Sequence, residues 1–87
     1  MKPEYGKVII EEIGQNYGRK ILDFAKQEKF KKERGRGYYS DAQFFRNILK
    51  GHVHNVRVEK FLLKVYKHYK KENEKHAQEV EAILAAQ

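Results

Sequence analysis

The chain contains no cysteine, one proline, one methionine and a single serine among its 87 residues. Without cysteine there are no disulfides, no thiol nucleophile and no thiolate zinc site, which points to a cytosolic, non-redox protein. The lone proline stands at position 3 and no Gly/Ser-rich linker follows it. Residues 1–87 therefore read as one helical domain, within the roughly 50–200 residues of a single core. Long apolar runs are also missing. The longest, Ala82-Ile83-Leu84-Ala85-Ala86, is far short of the ~18 residues that cross a bilayer. No secretory leader is expected, since Met1-Lys2-Pro3-Glu4 leads into charged sequence rather than an apolar stretch.

The sequence offers equally little for catalysis. His52 and His54 are two apart, and His68 and His76 are eight apart. Neither pair has the i, i+4 spacing with a nearby glutamate used by zinc hydrolases. His68 and His76 suit a helix surface or an interface. The glycines match neither a phosphate-binding loop nor a dinucleotide fingerprint. Glu11 and Glu12 point about 100° apart on a helix, which makes no acid–base pair. No catalytic residue, metal, cofactor, small-molecule substrate or membrane partner is expected.

What the chain has is positive charge in one place. Lys and Arg number 19 against 12 Asp and Glu, for a net charge of +7. Residues 1–18 carry −1 and residues 72–87 carry −3, so residues 19–71 hold 16 basic and 5 acidic side chains, a net of +11. A field this concentrated draws polyanions and is the usual footprint of a nucleic-acid binder.

No segment alternates as a strand does, and helix formers dominate between the glycines. The expected class is all-α, a small bundle of four helices. The first helix covers about residues 4–14, burying Val8, Ile9, Ile10 and Ile13. Gly14-Gln15-Asn16-Tyr17-Gly18 supplies a turn. A second helix starts near Arg19, buries Ile21, Leu22 and Ala25, and extends to about Lys32, with Phe30 off its inner face. Gly35 and Gly37 break the chain. Ser40 then offers an N-cap, completed by Gln43 into a capping box, and the helix it opens ends at Gly51. A last helix begins near Arg57 and continues almost to Gln87. Its seam is Val58, Phe61, Leu62, Val65, Tyr66 and Tyr69 at i, i+3, i+4, i+7, i+8, i+11. Beyond Tyr69 the seam becomes more polar, so that end projects from the body or pairs with another chain.

The short helix carries the functional expectation. Projected at about 100° per residue, Ala42, Phe44, Phe45, Ile48 and Leu49 form its inner side, and Gln43, Arg46, Asn47 and Lys50 its outer side. Its four large apolar residues represent ~6–12 kcal/mol of gross burial energy. The outer residues are of the kinds that read base edges: Arg forks onto guanine, Asn and Gln pair with adenine, Lys reaches guanine or phosphate. No acid interrupts the stripe. Asp41 stands at the helix start, where it complements the dipole.

Residues Tyr39 to Asn55, with Ile48-Leu49-Lys50-Gly51 closing the helix, resemble the recognition helix and following loop of lambda-repressor-like helix-turn-helix domains. Arg19 to Ala25 would correspond to that family's scaffold helix, with Ala25 as the small residue packed on the recognition helix. The resemblance covers about residues 19–66 and is specific over Ser40–Asn55. It implies DNA binding with the Asp41–Lys50 helix in the major groove. The family joins these helices by roughly three to four residues. Here Glu28 to Tyr39 intervene, which implies an enlarged basic turn or a winged variant.

That insertion gathers Lys29, Lys31, Lys32, Arg34 and Arg36 around two glycines, a composition suited to a phosphate backbone or a minor groove. Tyr38 and Tyr39 follow and suit a core role. The expected phosphate contacts are Lys31, Lys32, Arg34, Arg36, His52, His54 and Arg57. Lys60, Lys64, Lys67 and Lys71 line a basic strip of the last helix opposite its seam. Val80, Ile83 and Leu84, in the acidic end 72–87, form the expected interface of a homodimer reading two half-sites. The function so implied is sequence-preferring double-stranded DNA binding, with transcriptional regulation and a nucleoid location. The alternatives are an adaptor or inhibitor module docking on an acidic partner, then RNA or single-stranded nucleic-acid binding.

Overall fold

The computed structural model describes residues 1–85 and contains four helices: α1 (Pro3–Ile13), α2 (Tyr17–Gln27), α3 (Gln43–Leu49) and α4 (Val56–Ala85). The all-α expectation holds. The expected course of the last helix toward Gln87 falls, from Ala86 on, outside the described residues. No helix among those described is long and apolar enough to cross a membrane.

Each helix end follows from local chemistry. Pro3 opens α1, where its missing N–H removes no bond, and Glu4 complements the dipole. Gly14 ends α1 at φ 88°, its N–H donating to the Ile10 carbonyl at 2.9 Å. The Lys20 ammonium donates to the free Ile13 carbonyl at 3.1 Å. Asn16, left-handed at φ 59°, turns the chain into α2. A three-residue turn thus joins α1 to α2, whereas residues 28–42 separate α2 from α3, so no short turn joins the two helices that the resemblance pairs.

Several local expectations are corrected. α2 stops at Gln27 and not near Lys32, because Lys29 takes a left-handed φ of 57° and the Phe30 N–H returns to the Ala25 carbonyl at 2.8 Å. The Ser40–Gln43 capping box does not form. Asp41 Oδ1 accepts the Gln43 N–H at 2.9 Å instead, and the Gln43 amide turns outward. On α1 the buried stripe is Gly6, Ile9 and Ile13, while Val8 is exposed and Ile10 half-buried. Leu22 is likewise half-buried. Val8 sits on the flank of α1 that borders an open hollow beside Leu63 and Tyr66 of α4.

Ile9 and Ile13, Ile21, Phe24 and Ala25, Phe45, Ile48 and Leu49, and Val58, Phe61, Leu62 and Val65 make one core shared by all four helices. Aromatic rings occupy one end of it. Phe30 stacks on Phe61 at 4.1 Å between centroids, and Tyr39 on Phe44 at 4.9 Å. Each such pair adds about 0.5–1.5 kcal/mol beyond area burial. Phe30, left off the face of α2, therefore belongs to the core through the loop.

Gly6 sets the closest approach. A Cβ built there would lie 1.8 Å from the Leu49 carbonyl oxygen. Only a glycine lets the backbone at the end of α3 rest on α1. α4 runs parallel to α1, from the Met1 ammonium 2.8 Å from Glu59 to the Asn73 amide donating to the Glu12 carbonyl at 2.8 Å. Past Asn73 every described residue of α4 is exposed.

Candidate nucleic-acid interface

α3 is anchored from behind. Phe45, Ile48 and Leu49 are at most 1% exposed and Ala42 is buried at its start, representing about 5–9 kcal/mol of gross burial from the three large side chains. Two sides of this short helix are thereby fixed, and its remaining edge faces outward.

That edge holds the four expected base-reading residues in unequal positions. Gln43 and Lys50 are exposed; Arg46 and Asn47 are half-buried. Gln43 Nε2 donates to Asn47 Oδ1 at 2.9 Å, so the two amides one turn apart form a single linked unit. This leaves the Gln43 carbonyl and one of its N–H groups, with the Asn47 NH2, for an outside partner. Arg46 lies over the Tyr17 ring, 5.6 Å from its centroid, and beside Gly18, where a Cβ would come within 2.9 Å of the guanidinium. It is held against the start of α2 and is not the free fork expected of it. Its position still opens onto the surface.

The segment between α2 and α3 is a closed loop. Lys31 and Tyr38 pair as an isolated antiparallel bridge, and the Lys32 N–H donates to the Gly37 carbonyl at 3.1 Å. Gly35 and Gly37, at φ 88° and 82°, make the reversal, conformations that glycine adopts without strain. Arg34 and Arg36 stand exposed at the tip, Lys31 is exposed at the base, and Lys32 is half-buried.

Arg57 explains why the loop keeps its place. Its Nη2 donates to the Lys31 carbonyl, at 2.6 Å, and its guanidinium stacks 4.1 Å over the Phe30 ring. Among the described residues its Nη1 is buried with no hydrogen-bond partner. The expected phosphate contact is therefore turned inward as a clamp, occupied by the protein itself. His54 is also engaged, its Nδ1 3.1 Å from Glu59 Oε2. His52 is exposed. The Met1 ammonium bonded to Glu59, assisted by His54 and the Asn55 backbone, holds that carboxyl below its usual range against the opposing effect of burial.

Two hollows flank α3. One, of about 450 Å³, is lined by Arg19, Leu22, Asp23 and Lys26 of α2 together with Tyr39, Ser40, Ala42 and Arg46. The other, of about 240 Å³, is lined by Lys32, Glu33 and Arg34 of the closed loop with Tyr39, Phe44 and Asn55. Tyr39 lines both, so the start of α3 rises between an α2 wall and a loop wall. Each wall carries more cations than carboxylates. Arg19 and Lys26 were not among the expected contacts. Their signal is in the sequence: they sit at i and i+7 on the face of α2 opposite Ile21 and Ala25.

Val80, Ile83 and Leu84 are 39%, 64% and 62% exposed, far along α4 from this surface. Among the described residues no three His, Cys, Asp or Glu side chains gather as a metal site. The chain matches no protein-family model, no curated protein and no solved structure.

Proposed function

We propose that this protein binds double-stranded DNA through α3, with the closed basic loop and the outer face of α2 engaging phosphates on either side. The observation that carries this reading is the placement of the linked Gln43–Asn47 amides between two cationic walls, on a helix that itself contains no carboxylate. Seven residues of helix extend about 10 Å, within a major groove roughly 12 Å wide. The Gln43 carbonyl and its remaining N–H suit N6 and N7 of adenine, and the Asn47 NH2 extends the donor set. Arg46, braced on Tyr17, reaches a base or phosphate at the rim. Lys50 adds charge at the far end of the helix. Arg34, Arg36, Lys31, Lys32, Arg19, Lys26 and His52 serve the backbone, which sets affinity, while the amides set sequence preference. Control of transcription is the use such binding serves.

The test is retardation of random duplex DNA across a salt series. Four to six phosphate contacts predict a log–log slope near −4 to −5. Replacing Arg34 and Arg36 with Ala weakens all sequences alike and flattens the slope by about 2. Gln43→Ala or Asn47→Ala relaxes preference within a selected pool by ~1–3 kcal/mol per base contact. No retardation at low salt overturns the reading and favours a module that docks on an acidic protein.

A further inference from the structure

We propose that two copies of the chain pair antiparallel through α4, the projecting end of each helix lying in the groove between α1 and α4 of the other. The projecting end presents Ala77, Val80, Ile83 and Leu84 to solvent, with the last three 39–64% exposed. The body has an apolar surface of its own. Tyr5, Val8 and Leu63 are 59%, 49% and 47% exposed. They border two adjoining hollows along the α1–α4 groove, one lined by Tyr5, Val8, Ile9, Leu63 and Tyr66, the other reaching Met1, Pro3 and Glu59. One molecule thus carries both an apolar ridge and an apolar groove.

The spacing selects the occupant. Leu63, Tyr66, Lys70, Asn73, Ala77, Val80 and Leu84 follow one another at alternating intervals of three and four, the repeat of a helix seam. The seam is apolar at both ends and polar at Lys70 and Asn73. A helix of this kind complements itself when reversed, and a two-fold axis between Lys70 and Asn73 sets Leu63 opposite Val80 and Tyr66 opposite Ala77. Leu84 then reaches the hollow at Met1 and Pro3. Parallel pairing instead sets Lys70 against Lys70, a like-charge contact.

The flanking charges agree with the reversed register. Lys60, Lys67, Glu74 and Glu81 recur every seven residues along one flank of the seam. Reversal places Lys67 beside Glu74 and Lys60 beside Glu81 of the other copy, each pair occurring twice. This complementarity, with the basic body and acidic end on one chain, identifies a second copy as the partner. The contact is isologous, so it closes at two chains.

Sedimentation equilibrium of the full chain tests this, with an expected mass of twice 10.4 kDa. Val80→Glu with Leu84→Glu should return the mass to 10.4 kDa with the circular dichroism of a folded chain. Lys67→Glu should weaken the pair, and adding Glu74→Lys to it should restore the dimer. Because the chain lacks cysteine, orientation can be read by oxidation: Leu63→Cys mixed with Val80→Cys should cross-link, and Leu63→Cys alone should not. A wild-type mass of 10.4 kDa at every concentration overturns the proposal. So does a dimer unchanged by the two glutamates, or self-linkage of Leu63→Cys. None of these readings depends on nucleic acid, so failure here and failure of DNA binding are separable.

Discussion

Gly6→Ala reverses the usual sign of a helix substitution. In the middle of a helix, alanine is favoured over glycine by about 0.8–1 kcal/mol, so Gly6 looks like a weak point of α1. The structure argues the opposite. The new methyl would stand 1.8 Å from the Leu49 carbonyl oxygen, 2.6 Å from its carbonyl carbon and 3.0 Å from its Cα. These are backbone atoms, which no rotamer change can withdraw. To bring the oxygen beyond 3.0 Å, the end of α3 must back away from α1, opening space around the fully buried Ile48. Overpacking of this kind costs roughly 1–3 kcal/mol and occasionally more. With backbone as the obstacle the cost falls at the upper end, about 2–3 kcal/mol, and after the propensity gain the net expectation is a loss of about 1–2 kcal/mol. With a urea m-value near 1 kcal/mol/M for a small domain, the midpoint should fall by roughly 1–2 M. Lys7→Ala, at the exposed neighbouring position, supplies the control and should shift it little. Because α3 carries the amide pair, Gly6→Ala should also reduce sequence preference more than overall DNA affinity. A midpoint equal to or above wild type would refute the close approach of α1 and α3.

Two further outcomes follow from the loop clamp and the Glu59 cluster. Arg57→Ala removes the bond to the Lys31 carbonyl and the stack on Phe30. It should cost about 1–3 kcal/mol and speed tryptic cleavage between Lys31 and Arg36. Unchanged cleavage would show that the loop holds itself. The Glu59 carboxyl is depressed by its bond to the Met1 ammonium, so its contribution to stability is complete above the ordinary carboxylate pKa. That contribution is lost as pH falls through the depressed value. Urea midpoints should therefore drop in acid, and Glu59→Gln should flatten that part of the profile; parallel profiles would refute the assignment.

The core seam of α4 was legible because Val58, Phe61, Leu62 and Val65 sit at helical spacing and all four are buried. The inner side of α3 was legible for the same reason. The end of α2 was not, since neither glycine nor proline marks Lys29, where the chain turns left-handed. Val8 misled because an apolar residue next to two isoleucines gives no sign of which flank a neighbouring helix will cover. The outer stripe of α3 could be projected from spacing alone, but the brace of Tyr17 on Arg46 joins residues 29 apart in sequence. Arg57 failed for a related reason. A cation at a helix start advertises its charge, whereas its use as a lid on Phe30 depends on where a distant loop returns.

The parallel seating of the first helix on the last also governs when the molecule becomes whole. As the chain leaves the ribosome, Ile9 and Ile13 emerge early, while the residues that cover them, out to Val65 and Asn73, come some fifty to sixty positions later. At roughly 5–20 residues per second, that interval lasts on the order of 3–12 s. Throughout it the nascent amino terminus carries an uncovered greasy stripe. Closure of this core must await release of α4, so folding here is completed by a helix made long after the one it covers.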